Sequence, residues 1–194
     1  MSDIIKQLDK DEYDLTLNEA DVPCTIKIGG DDIATDGKFV PNINASKWDN
    51  EVWLNINHPD VVTTEKESLV DGKLQITIGN NTHRYFVTDD GTLEYEIEFA
   101  FRPVSNIVTL NLDLPDGLEF TKQPDFKELF KDAKVWQPDK CIGSYAVYWN
   151  KCNNQHKTGK FCHIYRPKLV DANGEETWAD ICLLYTSPSP RDRS

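Results

Sequence analysis

Between Lys140 and Val170 the chain carries Lys140, Lys151, Lys157, Lys160, Arg166 and Lys168 and not one Asp or Glu. Tyr145, Tyr148, Trp149, Phe161 and Tyr165 are interleaved with these cations, together with His156 and His163. Cations that follow a polyanion, alternating with rings that stack, are the chemistry of grooves for single-stranded nucleic acid or anionic glycan. A second reading places alternate aromatics of a hairpin in the core, with the cations balancing acidic strands or a neighbouring subunit. On either reading the candidate interaction surface is Tyr148, Lys151, His156, Lys157, Lys160, His163, Tyr165, Arg166 and Lys168. The second reading is the expected one for a block of charge, and a docking face complementary to acidic groups is the hypothesis set against it.

Three other constellations fit less well. Cys152, His156, Cys162 and His163 are all competent zinc ligands, but no Cys-x-x-Cys or His-x₃-His pair is present. Cys162 and His163 are neighbours on a predicted strand and so point to opposite faces, which keeps both from one ion. No metal and no cofactor is expected. The run DANGEETWADIC offers Asp171, Asn173 and Glu175 at the odd positions of a calcium loop, yet Glu176 stands where that loop needs Gly. A tight Asn-Gly turn between strands is expected instead. Glu94, Glu96 and Glu98, two apart on a strand, are spaced by roughly 7 Å, within the range of a hydrolytic carboxylate pair. Catalysis also requires one carboxyl group to be desolvated, and three like charges on an alternating strand describe a water-facing row.

The five tryptophans permit a carbohydrate reading, since indoles stack on sugar faces, although their usual role is to fill cores. Trp48 and Trp136 lie in polar, turn-like surroundings and are the candidate glycan-stacking residues. The chain contains no phosphate-binding loop, nucleophile elbow, His-Glu-x-x-His or dinucleotide fingerprint, and no enzymatic activity is expected.

The elements that must position these residues read as strands. In LEYEIEFAF, Leu93, Tyr95, Ile97, Phe99 and Phe101 share one face and the three glutamates the other. With HRYFVTDDGT before it, Arg84 to Phe101 is a predicted hairpin around Asp-Asp-Gly. IVTLNLDL and LEF are predicted to form a second hairpin through Pro115, Asp116 and Gly117. CTIKI, KFV, EVWLNIN and KLQITI are shorter predicted strands. Ile4, Ile5 and Leu8 have helical spacing, and PDFKELFKDA places Phe126, Leu129 and Phe130 on one side of a short helix. The expected fold is all-β, an antiparallel β-sandwich with one or two short helices. Residues 1–12 form a short N-terminal helix or arm and residues 13–181 one sandwich domain without an internal linker.

Charge bounds the partners. The 194 residues hold 21 Lys and Arg against 33 Asp and Glu, a net charge of −12, which argues against general affinity for nucleic acid or anionic membrane. The N-terminus shows no signal-peptide pattern, and no apolar run approaches the roughly 20 residues that span a bilayer. Free thiols are therefore expected at Cys24, Cys141, Cys152 and Cys162.

The last thirteen residues, CLLYTSPSPRDRS, differ in character from the rest. Cys182 to Asp192 resembles the translation of a common sequencing adapter, which implies a scar at 182–194 and a natural protein that continues beyond Ile181, leaving an unpaired edge or core gap. GSYAVYWN, KTGKFCHIYRPK and DANGEETWAD, between Gly143 and Asp180, resemble an uncharacterised β-rich domain of predicted tailed-phage and metagenomic proteins. Arg84 to Phe120 is more loosely similar to that domain's preceding hairpins. A more distant likeness is to β-sandwich modules of large secreted bacterial repeat proteins. The resemblance supplies no catalytic residues. It implies an architectural module of a virion or other surface assembly, made in the host cytoplasm, whose partners are other domains or subunits. The alternative is a module that binds glycan or another anionic polymer through the basic aromatic hairpin at residues 145–168.

Overall fold

The computed structural model describes residues 5–9, 12–15, 24–30, 39–59, 67–131, 134–151 and 159–184. The fold is all-β and antiparallel, with one short α-helix among the described residues. It divides into two compact units, Met1–Asp116 and Gly117–Ser194.

Among the described residues the first unit holds two sheets. β1 (Lys6–Asp9), β2 (Glu12–Asp14), β3 (Thr25–Gly29), β4 (Ile43–Lys47), β5 (Val52–Asn57) and β10 (Asn111–Asp113) make a six-stranded sheet in that order. β6 (Ser68–Val70), β7 (Lys73–Ile78), β8 (Asn81–Val87) and β9 (Leu93–Phe99) make a four-stranded meander. Period-two alternation gives each sheet one apolar face. Ile26, Ile28 and Ile43 from the first sheet share one buried cluster with Leu74, Ile76 and Tyr85 from the second. Two sheets joined through one core are the sandwich that the alternation predicts.

The predicted hairpin at Arg84 to Phe101 is present as β8 and β9, paired from Asn81↔Phe99 to Val87↔Leu93. Its turn is closed by Thr88, whose backbone amide donates to the Thr92 carbonyl at 2.9 Å while Gly91 takes a φ of 74°. The water-facing row is present too: Arg84 pairs with Glu96 at 2.7 Å and also with Glu98, and Lys73 pairs with Glu96 at 3.5 Å.

Two expectations are corrected. Lys6–Asp9 is a strand paired with β2, not a helix, because pairing buries Ile5 beside Tyr13 in the core. The second hairpin does not form. β10 pairs with β5, Asp113 opposite Asn55, whereas β11 (Leu118–Lys122) pairs with β12 (Tyr145–Trp149). The boundary between the two units thus falls in the Pro-Asp-Gly segment that reads in sequence as a tight connection. Of the KFV segment, Lys38 lies outside the described residues and Phe39 forms an isolated bridge.

In the second unit β11, β12 and β13 (Gly159–Ile164) form a three-stranded sheet. β14 (Lys168–Val170) and β15 (Glu176–Trp178) form a ribbon around the predicted Asn-Gly turn. There the Asp171 carboxylate accepts the amides of Asn173 and Glu175 at 2.8 and 2.9 Å, which holds its pKa below the usual range. α1 (Phe126–Leu129) is a single turn capped by Asp125, whose side chain accepts the Lys127 amide. Buried Gln137 accepts the Phe126 amide and donates to the Pro124 carbonyl, both at 3.0 Å. Leu118, Val147, Trp149 and Phe161 form the buried side of this unit.

Candidate functional site

Strand pairing distributes the basic aromatic block over separate surroundings instead of one groove. On β12 Tyr145, Ala146, Val147 and Trp149 are buried and Tyr148 alone is exposed. On β13 Phe161 is fully buried and Lys160, opposite Tyr148 across the ladder, is exposed. A bulge between Val147 and Tyr148 shifts the register there. Lys151 is exposed and lays its methylenes against Gly117, which has a φ of 107° that a side chain would strain. His156 and Lys157, like Cys152, lie outside the described residues.

The remaining members gather near the other end of the strands. His163 stacks on Tyr165 at 4.6 Å, and Lys140 sits 4.4 Å over the Tyr165 ring. Arg166 lies 5.5 Å and Lys168 5.6 Å from the Trp178 ring, and Lys168 is paired with Glu176 at 2.8 Å. These cations cover rings of their own chain, so the core-and-balance reading describes this cluster better than a stacking groove does.

The chemistry available to His163 follows from its partners. Nε2 stands 2.6 Å from Ser144 Oγ, which in turn stands 2.5 Å from the Cys141 carbonyl. A carbonyl only accepts, so Ser144 donates to Cys141 and His163 donates from Nε2 to Ser144. Ser144 is 0% exposed. A serine whose proton points at a carbonyl, behind a closed surface, is a structural pin and not an activated nucleophile. Burial lowers the His163 pKa, and the Lys160 and Lys140 charges lower it further.

Trp136 is 82% exposed. Trp48 is half-buried in the β4–β5 turn, where Trp48, Asp49 and Asn50 take φ values of 53°, 54° and 65°. Three consecutive left-handed residues without glycine are strained, and the Ser46 hydroxyl, donating to Asn50 Oδ1 at 2.6 Å, helps to hold them.

Sequence reasoning missed two surfaces. Trp53, Asn55, Asn44, Ser46, Thr25 and Lys27 line an open cleft of about 380 Å³ on the outer face of the six-stranded sheet. The alternation in EVWLNIN contains the signal, but the neighbouring rows become visible only once the strands are laid side by side. The other surface is apolar. Phe99, Phe101, Val104, Ile107, Val108 and Leu110 are all exposed, and between Ala100 and Leu110 the chain joins no strand. Phe99 and Phe101 continue the inward alternation of β9, but the sheet ends at Asn81↔Phe99 and both rings are exposed, Phe101 to 73%.

Among the described residues no group of His, Cys, Asp and Glu could hold a metal ion, and no helix is long and apolar enough to cross a membrane. Comparison with protein-family models, with curated proteins and with solved structures finds no match.

Proposed function

We propose that this chain is a non-enzymatic interaction module whose partners are other domains or subunits of a larger assembly. In keeping with its resemblance to tailed-phage proteins, that assembly is a virion or another surface structure. One observation carries the reading: six large apolar side chains from Phe99 to Leu110 are presented to solvent, with Phe101 73% and Ile107 74% exposed. Water-facing apolar surface of this extent in one segment marks an interaction site, because covering it is favourable by about 25 cal/mol per Å². The flanking sheet supplies a fixed platform. Sedimentation velocity tests the reading. The chain associates with rising concentration, and the Phe101→Asp, Ile107→Asp double variant stays monomeric with an unchanged melting temperature. Equal association of both proteins counts against it.

A further inference from the structure

The outer face of β3, β4 and β5 carries a second, chemically different surface. Register lines up Thr25, Ser46 and Trp53 in one row and Lys27, Asn44, Asn55 and Asp113 in the next. Their strand neighbours Ile26, Val52 and Leu54 are buried on the opposite side, so these rows face outward. Six of these residues, with Asn50 and Ala45, line the cleft of about 380 Å³, a size that accommodates a small ligand.

The lining has a definite polarity. Lys27 is its one charged side chain among the described residues, and Glu12 neutralises it at 2.7 Å. Apart from Ala45, the rest are an indole, amides and hydroxyls. Asn44 donates to the Gly29 carbonyl at 3.0 Å, which fixes its amide and leaves Oδ1 to accept. Asn55 has no side-chain partner among the described residues and offers both a donor and an acceptor. The strained turn at Trp48 to Asn50 borders this cleft and contributes Asn50 to it. Strain of this kind concentrates where a ligand is clamped.

We infer that this cleft binds a neutral oligosaccharide. A pyranose presents C–H groups on its faces and hydroxyls around its edge. The C–H groups suit the negative face of the Trp53 ring, and the hydroxyls suit amides that donate and accept. A polyanion would find no unmatched cation in this lining, and an apolar peptide would leave the amides unpaired at a cost. The site is distinct from the apolar segment at Phe99 to Leu110 and from Trp136.

The test is an NMR titration of the chain with cello-, malto-, xylo- and chito-hexaose separately. One of the four is expected to shift the Trp53 indole N–H and the Asn44 and Asn55 side-chain amides. Trp53→Ala weakens that binding at least about tenfold, and Trp136→Ala leaves it unchanged. Trp53→Phe, which keeps a ring, retains part of the affinity and guards against a folding artefact. No shift from any of the four sugars at about 10 mM overturns the inference. So do shifts confined to other residues, affinity unchanged in Trp53→Ala, and a polar Gly-Ser peptide that reproduces the same shifts.

Discussion

Tyr95 hydrogen-bonds His83 Nδ1 across 2.8 Å, and the two rings stack with centroids 5.9 Å apart. Tyr85, opposite Tyr95 across the ladder, stacks on it with ring centroids 4.8 Å apart. Burial pushes the pKa values of both tyrosines up. Burial also pushes the His83 pKa down to about 4, with His58 nearby lowering it further, so the ring in this stack is neutral at neutral pH.

A pH dependence follows. The folded pKa of His83 is depressed, so between its free value near 6.5 and about 4 the unfolded chain binds the extra proton. The stability that His83 contributes is complete above about pH 6.5 and declines as pH falls, by at most about 1.4 kcal/mol per pH unit. Urea unfolding at about pH 7, 6 and 5 should show this slope, and His83→Gln should flatten it. A slope equally steep in the variant would assign the loss to other groups.

The second histidine answers to its neighbours differently. Removing the Lys160 charge with Lys160→Gln should raise the His163 pKa, read from its imidazole resonances, while burial and Lys140 still hold it below the free value. An unchanged titration would mean that the exposed end of the Tyr148–Lys160 pair points away from the His163 cluster.

Packing sets the scale for the second unit. Phe161 is 0% exposed, and Phe161→Ala should cost about 3–5 kcal/mol. Phe130→Ala, at a side chain that is half exposed, should change stability by under about 1 kcal/mol. Thermal unfolding followed by near-ultraviolet circular dichroism separates the two, and comparable losses would contradict the core placement.

What was legible in sequence was local. LEYEIEF shows its two faces because one packs on Tyr85 and the other carries glutamates that meet Arg84 and Lys73. The Asp-Asp-Gly turn fixes its partner strand. β10 was illegible because its partner, β5, is far away in the chain, and the Pro-Asp-Gly segment mimics a hairpin turn. Ile5 and Leu8 suggest a helix until the pairing of β1 with β2 overrides that local spacing. The candidate sites divided for the same reason. The aromatics of the basic block are visible in sequence, but only the ladder separates buried Tyr145 and Trp149 from exposed Tyr148. Trp53, Asn55 and Asn44 look like an ordinary wet face until β4 is placed beside β5.

The apolar segment as a docking surface is tested most directly by site-specific photocrosslinking of the chain. A benzoylphenylalanine is placed at Phe101, at Ile107 or, as a control, at exposed Glu94 on the opposite face of β9. Irradiation should yield intermolecular adducts from positions 101 and 107 and essentially none from 94. Adducts absent at 101 and 107, or equally abundant from all three positions, would contradict a dedicated docking surface there.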